Sequence, residues 1–227
     1  HFERSIRFFE KTDDNKGAYL VYKSLGASYE AGAMYERAVA AYKRFLDRAA
    51  NTKNAADRLT TMISLARVEE VRGNLEQSAE WYNKALSISR EMGENKRIIE
   101  IHNMLGLLYQ DIGDTARAME NFRLSSQLAQ SSNDLENLTY TYESLGNYYQ
   151  RQNDLNKELE IQQQAYEANG RAGNLVAQSD NAYRIASIFI EQKNPEDAIP
   201  FLQDAVDLAT KAEQPERAVN ALITLSK

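Results

Sequence analysis

Histidine and cysteine, which often act as metal ligands, bases or nucleophiles, are scarce in this chain, and their spacing offers no catalytic or metal-binding arrangement. The chain has no cysteine, which excludes disulfides, cysteine-ligated zinc and thiol catalysis. Its two histidines are His1 and His102, and the places at equal spacing before and after His102 hold Met62 and Tyr142, not further metal ligands. We therefore expect His102 to pack in a core, and we expect no catalytic residue, no metal and no other cofactor.

The common catalytic and nucleotide-binding motifs are absent as well. The sequence contains no phosphate-binding glycine loop, no zinc-protease motif and no hydrolase nucleophile motif. The pair Asp13 and Asp14 lacks the further oxygen ligands that a calcium loop needs. Most of the 13 tyrosines fall at repeating positions, which favours core packing. These observations argue against an enzyme.

Composition and charge narrow the choice of partner. Hydrophobic residues make up 43% and charged residues 26% of the 227 residues, a balance typical of a folded protein. The net charge of -6 argues against nucleic acid or an anionic membrane as the main partner. No apolar run is long enough to span a bilayer, so we expect no membrane insertion by this segment. Periplasmic and cytoplasmic locations both remain open.

An internal repeat of constant length organises the whole chain. Five segments share a large aliphatic residue followed by a small one, and Leu225 continues the series. The pairs are Leu25 and Gly26, Leu65 and Ala66, Leu105 and Gly106, Leu145 and Gly146, and Ile185 and Ala186. The step from each pair to the next never changes and contains no insertion or deletion, so the elements that carry these pairs must recur in one fixed register.

A second recurring motif and two recurring turns divide each repeat into two helices. The second motif is an alanine followed four residues later by a large residue, as in Ala38 and Tyr42; the fourth repeat has Glu158 and Gln162 instead. Gly or Asn in the turns is typical of the left-handed residue that ends a helix. Asn74 and Gln77 have the spacing of a capping box. Pro200 is expected to kink the helix it interrupts or to delay its start.

These patterns predict an all-α solenoid of antiparallel helix pairs with about 12 helices, organised as one domain over residues 1–227. The predicted elements are a lone second helix at 1–12, helix pairs at 16–51, 54–92, 95–131, 134–171 and 174–212, and a lone first helix at 214–227. Neither end has the polar character of a capping element, so we expect flanking chain on both sides and self-association through the ends.

The recurring residues resemble the tetratricopeptide repeat family, whose pattern has an aromatic residue, Leu-Gly and Tyr, then Ala and a large aromatic residue. Tyr22, Leu25, Gly26 and Tyr29 with Ala38 and Tyr42 match that pattern. The 40-residue period resembles a subclass with extended helices, found in cell-polarity adaptors, peptide-sensing regulators and bacterial sensor kinases. The resemblance implies a right-handed superhelix whose concave groove, lined mainly by the first helices, binds a protein or peptide.

In this family, residues two before and two after the anchor leucine face the groove. The candidate binding residues that the resemblance implies are Lys23, Arg67, Asn103, Glu143, Asn147 and Tyr183. Mixed amides and charges suit an extended peptide, whose backbone offers both donors and acceptors.

Three functions follow from the resemblance. The first is a sensory or interaction region of a bacterial signalling protein, similar to the repeats that precede the membrane segment and kinase domain of Bacteroidetes-type histidine kinases. The second is a cytoplasmic regulator that responds to a peptide. The third is an assembly scaffold of a larger complex.

Overall fold

The computed structural model describes the backbone of residues 15–50 and 54–226, with side chains of the first helix described from Leu20 onward. The lone helix predicted at 1–12 therefore lies outside the described residues. Eleven α-helices and no strand occur in the described part of the chain. They are α1 Asn15–Ala31, α2 Tyr35–Ala49, α3 Ala55–Val71, α4 Leu75–Met92, α5 Asn95–Ile112, α6 Thr115–Ser131, α7 Leu135–Arg151, α8 Leu155–Ala172, α9 Leu175–Glu191, α10 Pro195–Lys211 and α11 Pro215–Leu225.

Consecutive helices form pairs, and the fold is the all-α, tetratricopeptide-like solenoid that the repeat predicted. The odd-numbered helix of each pair carries the aliphatic and small residues of the first motif, and the even-numbered helix carries the second motif. The odd and even helices thus alternate along the described chain.

The chain divides into two compact units, residues 1–121 and residues 122–227. The expectation of one domain over the whole chain stays a prediction.

Left-handed residues end the helices at a regular spacing. Positive φ angles occur at positions 33, 73, 113, 153 and 193 within the pairs, and at 93, 133, 173 and 213 between them. Gly73, Gly113 and Gly93 supply this conformation without a side-chain clash, whereas Ala33 and Lys193 adopt it with φ angles of 54° and 64°. The turn geometry therefore follows the period of the repeat even where the residue type does not favour it.

The core of the first unit lies between the helices of its pairs. Large buried side chains, including Tyr22, Tyr42 and Phe45, pack with the small residues Ala38 and Ala49. The small residues allow close approach: a Cβ atom on Gly26 would lie 2.4 Å from the ring of Tyr42. At this position only glycine leaves room for the ring, which explains the small residue of the first motif in the first repeat.

The core of the second unit follows the same apolar pattern. Ala182, Ala186, Ala198 and Leu202 are buried together, and Phe189 stacks with Phe201 at a ring-centroid distance of 5.8 Å.

The residues of the first motif are buried in both units; they are Leu25, Gly26, Leu65, Ala66, Leu105, Gly106, Leu145, Gly146, Ile185 and Ala186.

One local prediction is wrong, and one of the two outcomes expected for Pro200 is excluded. The Asn74 side chain makes no capping hydrogen bond to α4; its Nδ2 atom donates instead to Oε2 of the buried Glu69, at 2.8 Å. A buried carboxylate needs donors, and this requirement outweighs the cap. Pro200 does not delay its helix, because α10 begins at Pro195, a residue whose fixed φ angle suits the first helical turn. The kink expected at Pro200 stays a prediction.

Candidate functional site

Two of the three candidate groove residues of the first unit, Lys23 and Arg67, form ion pairs between neighbouring repeats. Lys23 on α1 pairs with Asp57 on α3. Arg67 on α3 places Nη2 2.8 Å from Oε1 of Glu30 on α1, a pair 37 residues apart in sequence. Each cation thus already has a carboxylate partner from the adjacent repeat, so neither is left to a ligand without competition.

Glu30 and its counterpart Glu70 also accept hydrogen bonds from buried tyrosines. The Tyr42 hydroxyl donates to Glu30 at 2.6 Å, and the Tyr82 hydroxyl donates to Glu70 at 3.4 Å. Burial raises the pKa of Tyr42, and the hydrogen bond to Glu30 raises it further. Burial also raises the pKa of Glu70, with an added contribution from Asp111. Glu30 and Glu70 therefore each accept a hydrogen bond inside the first unit.

The third candidate of the first unit, Asn103, is not presented to solvent. Its exposed fraction is 1%, which is the burial of a core residue. A side chain this deeply packed contributes to the arrangement of α5 and cannot meet a partner without repacking. Asn103 is therefore not part of an exposed contact surface.

His102 lies in the same helix and is held by two polar neighbours. Its Nδ1 atom is 2.8 Å from Oδ1 of Asn121, and its Nε2 atom is 3.4 Å from Nη2 of Arg90. Arg90 can only donate, so Nε2 accepts its hydrogen bond, and the protonated Nδ1 donates one to Oδ1 of Asn121. Burial lowers the pKa of His102, because a charged imidazolium would lose its hydration. These contacts describe a structural histidine.

The candidate residues of the second unit are exposed. Glu143 and Asn147 lie one turn apart on α7, and neither has a hydrogen bond or ion pair to another residue in the described ranges. Tyr183 on α9 is 36% exposed, and its hydroxyl lies 3.3 Å from Oγ1 of Thr224. Arg67 is exposed as well, but it is ion-paired, so the three exposed candidates without an ion pair among the described residues lie in residues 122–227.

Neighbouring first helices face each other at a fixed sequence offset. The pairs Glu30–Arg67 and Asp180–Arg217 share one offset along the chain, and Arg217 Nε lies 3.0 Å from Asp180 Oδ1. Glu143 precedes Asp180 by that same offset, and there the two charges have the same sign. Partial burial raises the pKa of Glu143, and the Asp180 carboxylate raises it further. Facing carboxylates repel each other unless a cation joins them.

The departures of the fourth repeat form a polar cluster that the sequence did not predict as a contact. Glu158 is 1% exposed and binds Arg184 through both carboxylate oxygens, at 2.5 Å and 2.8 Å. Gln162 accepts a hydrogen bond from Asn181 at 2.8 Å, and Asn181 in turn accepts one from Asn169 at 2.8 Å. A glutamate in place of alanine was the available signal, but its partner lies 26 residues away in the next pair.

Neither a metal centre nor a membrane segment is found in the described ranges. No group of three or more His, Cys, Asp or Glu residues there could hold a metal ion. No helix among the same residues is both long enough and apolar enough to cross a bilayer.

Comparison with protein-family models gives matches to a single family. Three family models, each described as Tetratricopeptide repeat, match residues 24–52, 57–131 and 179–211. The transcriptional activator NprA of Geobacillus stearothermophilus is 30% identical over 147 residues, which are 62% of this chain and 35% of that protein. This chain therefore spans about a third of the length of that curated relative.

Two solved structures share the fold at low sequence identity. A signal transduction ATPase with a tetratricopeptide repeat sensor from Pyrococcus horikoshii matches with a TM-score of 0.73 and 18% identity, covering 99% of this chain and 35% of that one. The Rap conjugation gene regulator of plasmid pLS20, in complex with the Phr* peptide, matches with a TM-score of 0.58 and 16% identity, covering 94% of this chain and 59% of that one. At these identities the likeness shows the fold alone.

Proposed function

This chain belongs to the tetratricopeptide repeat family, and we propose that it binds a segment of another polypeptide and does not catalyse a reaction. The observation that carries this proposal is the exposed face of α7 and α9 in the second unit, where Glu143, Asn147 and Tyr183 lie. An exposed asparagine offers both a donor and an acceptor, which suits the backbone of an extended peptide. The similar Rap regulator was solved in complex with a peptide, which supports the same role here.

The binding of short peptides tests this proposal directly. The chain is applied to an array of capped hexapeptides of random sequence, and the dissociation constants of the best binders are then measured in solution. We expect a subset to bind, and we expect Asn147→Ala to weaken binding by up to about tenfold, since one or two hydrogen bonds are lost. Gln163→Ala on α8 removes an exposed amide of similar chemistry and is the matched control. The absence of any binder, or equal loss in both variants, would count against the proposal.

At a finer level, we propose that these repeats are the sensory or interaction region of a bacterial signalling protein of the histidine-kinase type. Two similar proteins support this role, because one is a transcriptional activator and the other is a signalling ATPase with a repeat sensor. This chain covers 35% of each of them, so both carry further parts. The full-length gene is expected to encode a membrane segment and a kinase domain, and the lack of both would refute this role.

A peptide-responsive regulator is the alternative within the same class, and small-angle scattering separates the two behaviours. A regulator of this kind changes conformation when the peptide binds, so its radius of gyration should change at saturation with the best-binding hexapeptide. An unchanged radius would argue against such a switch. An assembly scaffold would instead retain a stable protein partner when the full-length protein is isolated from its native host.

A further inference from the structure

The pair of like charges formed by Glu143 and Asp180 is the exception among the equally spaced pairs described above. Glu30 meets Arg67 at 2.8 Å, so the corresponding pair of the first unit is neutral. Asp180 meets Arg217 at 3.0 Å, which neutralises one of the two facing carboxylates in the second unit. Glu143 has no cation partner in the part of the chain that the structure describes. One negative charge therefore remains on this face.

Two exposed tyrosines stand on the same face as these carboxylates. Tyr140 precedes Glu143 by three residues on α7, so the two side chains lie on one side of the helix. Tyr183 follows Asp180 by three residues on α9, in the same relation. The exposed fractions of Tyr140 and Tyr183 are 47% and 36%, which is high for aromatic side chains in a folded protein. Aromatic rings beside carboxylates are the environment that lysine and arginine side chains prefer.

Asn147 completes this face one turn beyond Glu143. It is exposed, and no hydrogen bond from its amide to another described residue competes with a ligand. An amide at this place can bind the main chain of a peptide while the carboxylates bind a side chain. We call the five residues Tyr140, Glu143, Asn147, Asp180 and Tyr183 the acidic–aromatic face.

We propose that the acidic–aromatic face binds a peptide segment that carries a lysine or arginine next to an apolar residue. The cation would pair with Glu143, the carboxylate that has no cation partner among the described residues, and the apolar residue would pack on the exposed tyrosine rings. This inference rests on the proposed function, because it specifies which peptides that function selects. The net charge of -6 favours the approach of a cationic segment over an acidic one.

A metal ion is a poorer occupant of this face than a peptide cation. Two carboxylates supply too few ligands for a dedicated calcium or zinc site, and no third His, Cys, Asp or Glu joins them among the described residues. The tyrosine rings offer little to a small hydrated ion, whereas they add contact area for a long, partly apolar cationic side chain. The mixed chemistry of the face therefore selects lysine or arginine.

The test uses the hexapeptide array, read for amino-acid preference. We expect arginine and lysine to be enriched among the binders of the unaltered chain, beside leucine, isoleucine or phenylalanine. Glu143→Gln keeps the shape of the side chain and removes its charge, so it should weaken the best basic peptides by about tenfold. Glu143→Lys should reverse the preference toward acidic peptides. Asp207→Asn removes an exposed charge from α10 and should leave the preference unchanged.

The outcomes separate this inference from the proposed function. Binders enriched in acidic or purely apolar residues would overturn the inference while leaving peptide binding intact. Basic enrichment that survives in both Glu143 variants would also overturn it, because the charge would then act elsewhere. No binder at all would overturn both. Circular dichroism of each variant should show unchanged helix content, since Glu143 is exposed and makes no internal pair among the described residues.

Discussion

Removal of Arg184 is expected to destabilise the second unit strongly, because it leaves the Glu158 carboxylate buried without its partner. Glu158 is 1% exposed, and Arg184 binds it through two hydrogen bonds of 2.5 Å and 2.8 Å. Arg184 Nη1 also lies 3.0 Å from Glu191, an exposed carboxylate that stays hydrated without this contact. The buried pair with Glu158 therefore dominates the effect.

The magnitude follows from the burial of the two partners. Breaking a buried ion pair on one side costs roughly 3–5 kcal/mol in the free energy of unfolding. The Arg184 side chain is 24% exposed, so water can partly hydrate the remaining carboxylate, and we expect about 2–4 kcal/mol for Arg184→Met. Replacing both residues, with Glu158→Ala and Arg184→Met, gives the fourth repeat the alanine found at Ala38 and Ala198. The double variant should recover most of the loss.

Urea denaturation followed by circular dichroism measures these differences, provided that the slope of the transition is the same in all variants. The three variants and the unaltered chain form a double-mutant cycle, which isolates the coupling between the two residues. A cost below about 0.5 kcal/mol for Arg184→Met would refute the reasoning, since surface substitutions fall in that range. A double variant as unstable as the single variant would refute it as well.

Three further substitutions and one titration test the packing, the turns and the buried histidine. Gly26→Ala places a methyl group 2.4 Å from the Tyr42 ring and should cost about 1–3 kcal/mol in a urea denaturation, and an unaltered midpoint would contradict the close packing. Ala33→Gly and Lys193→Gly remove side chains from left-handed residues and should each raise the free energy of unfolding by about 1 kcal/mol. Inside a helix the same substitution would lower that free energy. Burial lowers the pKa of His102 below its usual 6.5, so its contribution to stability is present above that pH and is lost as the pH falls through the lowered value; an NMR titration that gave an ordinary or raised pKa would contradict this.

The repeat allowed the helix pairs to be predicted from the sequence, because period and packing have the same physical origin. A residue such as Gly26 is small because a neighbouring ring lies against it in the folded pair. Left-handed residues recur at the same spacing even at Ala33, where the residue type gives no signal. Because the spacing is constant, a repeat with typical turn residues predicts the turn positions of a repeat without them.

The polar contacts could not be predicted in the same way. Asn74 caps no helix because the buried Glu69 competes for its side chain, and that burial is a property of the packed structure. Asn103 has the register of a groove residue but is buried. The partner of Glu158 lies 26 residues away, beyond any local pattern. Self-association through the chain ends stays a prediction.

The location of a bound peptide tests the central claim most directly. Amide NMR shifts of the chain are compared with and without the best-binding basic hexapeptide, using both compact units in one protein. We expect the largest shift changes in residues 122–227 to fall on α7 and α9, around Glu143, Asn147 and Tyr183. Changes confined to α8 and α10, the second helices of the same pairs, would contradict it.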